Sequence, residues 1–384
     1  MEPELDKLLG ASIARTDDGK ENDMRPRTLD PTKTGEEAEA LEFGLRSKII
    51  GQEDAIHQVV EMYQTYLSGM SSPGRPIANL MFLGPTGSGK TRLVEATAEC
   101  LLQNAGAVIK IDCAEFQHGH EIAKLIGSPP GYLGHRETKP VLTQEALDQY
   151  HTPTVKVSIV LFDEIEKASD TLWNLMLGIL DKATLTLGDN TKVDFSKAMI
   201  FMTSNVGAWE MSALTKPRLG FARLVENCEI GRSGIEAARR KFTPEFINRI
   251  DKMVVFRSLG ANELNRILDI ELNYVRQRVL KADDGLLFGF AVTAAGKQFL
   301  LNEGTNVEYG ARHLKRAIER FVVQPLSRLI ASGQILNGDF IEIDCGPQAS
   351  ALTFSRQDEG LPVREMARFA DLAALSQAAF ATVA

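Results

Sequence analysis

The chain has 384 residues, 44% hydrophobic and 24% charged, enough apolar material for two or three units that each bury a core. A formal net charge of −8 without a long basic run argues against a surface that tracks nucleic-acid phosphates, and no stretch approaches the ~18 apolar residues of a membrane span. The four cysteines, Cys100, Cys113, Cys228 and Cys345, lie far apart with no C-x-x-C pair, which points to reduced thiols in a cytoplasmic protein rather than to a zinc site or a disulfide framework.

Residues 1–40 open Met1-Glu2-Pro3-Glu4 without an apolar signal core and are rich in Asp, Glu, Lys, Pro and Thr, so a mobile polar tail is expected. A helical pattern starts at Leu41, breaks at Ile49-Ile50-Gly51-Gln52, and resumes from Asp54 to Ser68 with Ile56, Val59, Val60, Tyr63 and Leu67 on one face. The apolar run Ala78 to Leu83 then leads into Gly84-Pro85-Thr86-Gly87-Ser88-Gly89-Lys90-Thr91, with a helix expected from about Lys90. This is a complete P-loop between its strand and its helix. The glycines let successive N–H groups turn inward to phosphate oxygens at a helix N-terminus, Lys90 reaches the β- and γ-phosphates, and the Thr91 hydroxyl ligates Mg²⁺. ATP or GTP is the expected ligand.

Ala107 to Ile111 reads as the next strand, completing a β-α-β unit with a right-handed crossover. His118-Gly119-His120 has no acidic or cysteine ligand at a metal-binding spacing and reads as a loop. Two prolines and three glycines preclude regular structure in Gly127 to His135, so Tyr132 is held on a loop, by composition alone as a packing anchor. Val157 to Phe162 is a buried parallel strand ending in Asp163-Glu164, at the sheet edge where α/β folds bind ligands. Asp163 would orient Mg²⁺ and Glu164 would polarise an attacking water. A helix is expected from about Asp170 to Asp181, a turn at Gly188-Asp189-Asn190, and a strand from Ala198 to Met202 that delivers Asn205 to the γ-phosphate or the water. Beyond Phe256 the pattern is helical, with Leu264, Ile267, Leu268, Ile270 and Leu272 on an apolar side. A long helix follows from Gly310-Ala311-Arg312-His313 to about Ser332-Gly333, then a strand from Phe340 to Asp344 and a final helix within Leu361 to Ala384.

GPTGSGKT, GSPPGYLG, VLFDEIEKA, MTSN and FTPEFINRID, in this order, resemble the AAA+ ATPase domain of the Clp family, in particular the second ATPase domain of its ClpA, ClpB and ClpC members. The resemblance covers about residues 41–346. It implies an α/β fold: a P-loop AAA+ domain over 41–257 with a parallel sheet flanked by helices, a small, mainly helical C-terminal lid domain over 258–346, and a tail with a helix over 347–384. Ile50, Gly51 and Gln52 would contact adenine, favouring ATP. Asn205 would be the first sensor and Arg312 the second, with His313 where relatives usually carry Pro. Arg249 would be an arginine finger reaching the γ-phosphate of a neighbouring copy, which asks for a ring, by analogy a hexamer. Tyr132 and Leu133 would form the pore loop that grips unfolded or misfolded polypeptide. Leu219-Gly220-Phe221 stands where protease-associated relatives dock a ClpP-type peptidase; the other reading is a loop anchored by one phenylalanine. With one P-loop, a single-ring form is expected, without the first ATPase domain, the coiled-coil middle domain or a folded N-terminal recruitment domain. The implied function is ATP-driven unfolding or remodelling by threading; the alternative is an ATP-controlled assembly or switch protein acting on a dedicated partner.

Overall fold

In a computed structural model the described residues are 30, 33–128, 140–215, 227–280, 286–304, 311–346, 351–360 and 362, with the side chains of 212–228 also left aside. Strands β1 (Ala78–Leu83), β2 (Ile109–Asp112), β3 (Ser158–Asp163), β6 (Ala198–Ser204) and β7 (Lys252–Val255) form a parallel sheet in the order β2-β3-β6-β1-β7; β4 (Thr184–Thr186) and β5 (Lys192–Asp194) make a separate hairpin. Apolar runs without alternation suit strands covered on both faces. Leu80, Phe82, Ile159, Leu161, Met199 and Phe201 enter one core, while Met81, Leu83, Val160, Phe162, Ile200 and Met202 enter the other. Register pairs Leu83 with Ser204 and Phe162 with Met202, so the segments leaving β1, β3 and β6 emerge side by side at one sheet edge.

Helix α1 (Glu36–Lys48) starts within the stretch expected to be tail. Its first turn carries Glu36, Glu37 and Glu39 and its last turn Arg46 and Lys48, charges that complement the helix dipole, and Ala38 is buried in the core. Helix α2 (Glu53–Leu67) buries Ile56, Val59, Val60 and Tyr63, as its spacing predicts, whereas Leu67 in its last turn is exposed. Helix α3 (Lys90–Leu102) follows the P-loop; α4 (Asp170–Lys182), α5 (Asn227–Lys241) and α6 (Pro244–Ile247) follow in turn. Strand β2 starts two residues later than its apolar run suggests. The β4–β5 hairpin, absent from the expectations, folds around the predicted turn, where Asn190 adopts φ 70°.

A third core is built by α7 (Ala261–Leu280), β8 (Gly289–Val292), α8 (Ala294–Gly304), α9 (Ala311–Ile318) with the π turn Glu319–Val323 and α10 (Gln324–Ala331), and β9 (Phe340–Asp344). Strand β10 (Thr353–Asp358) pairs antiparallel with β9, inside the stretch expected to be tail. Its mostly polar residues are held by backbone pairing, so no apolar alternation reveals it. Among the described residues no helix is long and apolar enough to cross a membrane.

Candidate functional site

The P-loop owes its path to its glycines. Gly84, Gly87 and Gly89 have φ of 146°, 79° and 101°. At Gly84 a Cβ would stand 2.5 Å from the carbonyl oxygen of Phe256, so the loop's close approach to the segment after β7 admits no side chain. No side chain caps α3, and the N–H groups of its first turn are left for an anion. Lys90, 8% exposed, donates from Nζ to the carbonyls of Gly84 (2.7 Å) and Pro85 (2.9 Å) and to Asn205 Oδ1 (3.0 Å). Burial pulls its pKa down to about 8, against the opposing pull of Glu166, Asp163 and Glu164 and with a smaller push from Arg312.

Thr203, near the end of β6, ties the two acidic residues together. Its hydroxyl donates to Asp163 Oδ1 and accepts from the Glu164 N–H at 3.1 Å. Asp163 Oδ2 pairs with Lys110 at 3.0 Å, and Glu164, held at φ 57°, pairs with Lys167 at 2.5 Å. Asn205 accepts from Thr86 Oγ1 at 3.4 Å as well as from Lys90, and its own N–H donates to Glu166 Oε1 at 3.1 Å.

Lys90, Lys110, Asp163, Glu164, Thr203 and Asn205 face a cavity of about 430 Å³ between the sheet edge and the C-terminal core, within the size range of small-molecule sites. Its polar lining includes Thr86 to Thr91, Asp163, Glu164, Thr203, Asn205 and Arg312, and its apolar lining Ile49, Ile50, Leu259, Ile267 and Ile270. Of the three residues expected against the base, Ile50 lines this space and Gly51 and Gln52 do not. The Gln52 side chain instead bridges backbone: Nε2 donates to the carbonyls of Ser88 (3.1 Å) and Arg257 (3.0 Å), and Oε1 accepts from the Arg257 N–H (3.2 Å). Arg312 arrives on the first turn of α9, where the Ala311 N–H donates to the carbonyl of Gly87 at 3.2 Å. Lys110, Thr203 and Arg92 escaped the sequence reading. Arg92 lines the cavity while bonding the Tyr274 hydroxyl on α7 at 2.7 Å, over a ring 5.4 Å away.

The donor set fits a nucleoside triphosphate: an open helix N-terminus, Lys90 and Arg312 for the phosphates, and isoleucine side chains for a base. For Mg²⁺ the candidates are the Thr91 hydroxyl and the Asp163 carboxylate. No cluster of three or more His, Cys, Asp or Glu that could cage a metal occurs among the described residues. Mg²⁺ commonly sits on one or two protein oxygens with water and phosphate completing its shell, so this sparse set suits it.

Arg249, placed after α6, does not line the cavity of its own chain. Its guanidinium donates to the carbonyl of Glu245 (2.9 Å) and lies 3.3 Å from Glu245 Oε1 and 3.9 Å from Asp181 Oδ2. Its carbonyl accepts from Asn79 Nδ2, a buried amide in β1, at 3.1 Å. The backbone N–H of His118 bonds Glu121 at 2.8 Å as part of a helix cap, and the His118 ring stacks on His120. Tyr132, Leu133, Leu219, Gly220, Phe221 and the stretch within Leu361 to Ala384 where a helix is expected, apart from residue 362, lie outside the described residues.

Two family models match the chain in tandem: an AAA domain (Cdc48 subfamily) over residues 75–253 and the C-terminal, D2-small domain of ClpB protein over residues 259–343. A ClpC ATP-binding subunit of an ATP-dependent Clp protease from Staphylococcus saprophyticus is 37% identical over 305 residues, 79% of this chain and 36% of that protein. A ClpB chaperone from Bdellovibrio bacteriovorus is 37% identical over 314 residues, 82% of this chain and 34% of that one. The chain thus spans about a third of the length of the curated relatives it matches. Among solved structures, the S. cerevisiae Hsp104:casein complex in its extended conformation superposes with a TM-score of 0.71 at 28% identity, over 84% of this chain and 53% of that one. With an AAA domain followed by a ClpB-type D2-small domain, this chain belongs to the Clp family of AAA+ ATPases.

Proposed function

We propose that the chain hydrolyses ATP in a ring of identical copies, by analogy a hexamer in the cytoplasm, and uses the work to unfold or remodel polypeptides. The observation that carries this is the convergence of Lys90, Asp163, Glu164, Asn205 and Arg312 on one cavity while Arg249 stands outside it. Lys90 and the P-loop N–H groups bind the phosphates, Ile50 and its apolar neighbours hold the base, and Glu164 orients water toward the γ-phosphate once Lys167 yields. Asn205 and Lys90 fix that phosphate between them. Mg²⁺ held by Thr91 and Asp163 would neutralise charge on the phosphate oxygens. Arg249 serves the cavity of a neighbouring copy; trans-acting arginines of this kind raise turnover by about 10³ to 10⁵.

Support for polypeptide as substrate comes from the Hsp104:casein likeness and the ClpB relative, and we assign the grip to Tyr132 and Leu133. The ClpC relative supports a further role beside a ClpP-type peptidase, with Leu219-Gly220-Phe221 as the docking loop. We place the ATPase domain from helix α1, which starts at Glu36 rather than at residue 41, to residue 257, and the lid from residue 258 through strand β10 rather than to residue 346. Light scattering on the Glu164→Gln protein with ATP tests the core of this scheme. A ring that retains a permanently unfolded polypeptide is expected, and loses it when Tyr132→Ala is added. A ring that ignores the polypeptide would return the protein to the switch reading.

A further inference from the structure

Glu166 has no part in the scheme so far, although it lies two residues beyond Glu164. The backbone separates the two. Glu164 takes the left-handed conformation at φ 57°, a 3-10 turn (Ile165–Lys167) follows, and the carboxylates end on different partners. Glu164 lines the cavity and pairs with Lys167, whereas Glu166 does not line it and accepts from the Asn205 N–H at 3.1 Å. Asn205 is the first residue past the end of β6, beyond the last strand pairing at Ser204, so its N–H depends on a side chain. The other carboxylate oxygen of Glu166, Oε2, is buried and accepts no hydrogen bond among the described residues. Holding a half-satisfied carboxylate there is costly, and good packing alone does not call for it. What the arrangement achieves is on the far side of Asn205, where Oδ1 accepts from Lys90 at 3.0 Å and from Thr86 at 3.4 Å.

We propose that Glu166 is a positioning residue for ATP hydrolysis: by holding the Asn205 backbone it sets where the Asn205 amide and the Lys90 ammonium meet the γ-phosphate. This rests on the nucleotide site proposed above. Glu166 itself touches neither nucleotide nor water; it acts through Asn205.

The test uses the full chain with four variants, Glu166→Ala, Glu166→Gln, Glu166→Asp and Asn205→Ala, and the Glu166→Ala/Asn205→Ala double. ATPase kcat, KM and the urea midpoint are read for each. Glu166→Ala should lower kcat at least about 30-fold with KM within about threefold, the split expected when an interaction matters mainly in the transition state. The Gln amide oxygen still accepts from the Asn205 N–H and should recover about tenfold of that loss, while the shorter Asp should not. In the Asn205→Ala background, Glu166→Ala should cost less than about threefold, because the group it positions is gone. If Glu166→Ala does not fold, the contrast between Gln and Asp carries the test alone. Wild-type kcat in Glu166→Ala, a Gln variant as poor as Asp, or additive losses with Asn205→Ala would each overturn the proposal. A wild-type protein that hydrolyses no ATP would overturn the nucleotide reading as well, whereas hydrolysis with indistinguishable variants would overturn only the part given to Glu166.

Discussion

Gln52 and Arg257, 205 positions apart, exchange a pair of hydrogen bonds: the Gln52 amide donates to the Arg257 carbonyl at 3.0 Å and accepts from its N–H at 3.2 Å. A third bond, to the carbonyl of Ser88, fastens the same side chain to the P-loop. The turn before α2, the phosphate loop and the segment leading to α7 are thereby joined at one buried point.

Replacing Gln52 with Leu keeps the bulk but leaves those three backbone groups without partners in a site 4% exposed. The expected cost is about 3 kcal/mol in unfolding free energy, since each buried unsatisfied group costs roughly 1–3 kcal/mol. Urea denaturation with an unchanged slope measures it, and a loss under about 0.5 kcal/mol would show the bridge to be dispensable.

Gly84 and Gly74 separate two sources of strain. Both have positive φ, but a Cβ on Gly84 meets the Phe256 carbonyl at 2.5 Å whereas one on Gly74 meets nothing within 4 Å. Gly74→Ala should therefore show only the backbone term, about 1 kcal/mol, and Gly84→Ala about 3 kcal/mol or more together with loss of nucleotide binding. Thermal unfolding and ATP titration of the two proteins, side by side, decide it; equal effects would count against the steric account.

Nucleotide affinity should depend on pH through Lys90. Its pKa in the folded chain without nucleotide is depressed to about 8 by burial, so the ammonium is charged below that and neutral above. Binding of Mg²⁺-free ATP should be nearly flat below pH 8 and weaken by up to about tenfold per pH unit above it, with proton uptake on binding in that range. The sign for stability is opposite. Between about 8 and the ordinary lysine value of 10.5 the unfolded chain holds the extra proton, so the destabilisation from this buried charge is fully present below pH 8 and is relieved as pH rises toward 10.5. Calorimetric titrations from pH 7 to 9.5 test the first statement, with Lys90→Met as the variant in which the slope disappears.

Arg249 is held by Glu245 and Asp181 of its own chain, away from its own cavity. If it serves a neighbour, Arg249→Ala and Glu164→Gln are each inactive alone but complement when mixed, because a copy with intact Glu164 can then sit beside one with intact Arg249. Recovery of ATPase activity on mixing, up to about a quarter of the wild-type rate for random assembly, is the expected result. No recovery from subunits shown to exchange would place Arg249 in cis or outside the reaction.

Tyr274→Phe removes the hydroxyl that accepts from Arg92 but keeps the ring under the guanidinium. A loss of about 1 kcal/mol is expected for the partly exposed bond. Because Arg92 also lines the cavity proposed for the nucleotide, ATP affinity should fall with it; unchanged affinity would mean that this contact between α3 and α7 is not felt at the site.

The proposed phosphate-binding part of the site is legible from the amino-acid sequence by itself, because its residues are contiguous. Eight successive residues make the cradle, Asp163 ends an unmistakably apolar strand with Glu164 directly after it, and Asn205 directly follows another. The parallel sheet follows from the same runs, since a strand covered on both faces needs no alternation. Long-range pairing decided the rest. The apolar side read on α7 serves two surroundings in the folded chain: Leu264, Leu268 and Leu272, four apart, fill the C-terminal core, Ile267 packs against that core and also lines the cavity, and Ile270 lines the cavity. Strand β10 exists through backbone bonds to β9 that leave no periodic trace. Gln52, which the family resemblance sets against a base, bonds Arg257 and Ser88, and Glu166 acquires a partner only when β3 and β6 lie side by side. Local patterns report which face of a segment must be buried or which loop can bind an anion. Which polar group meets which, across tens or hundreds of residues, is set only when the sheet brings their backbones to one edge.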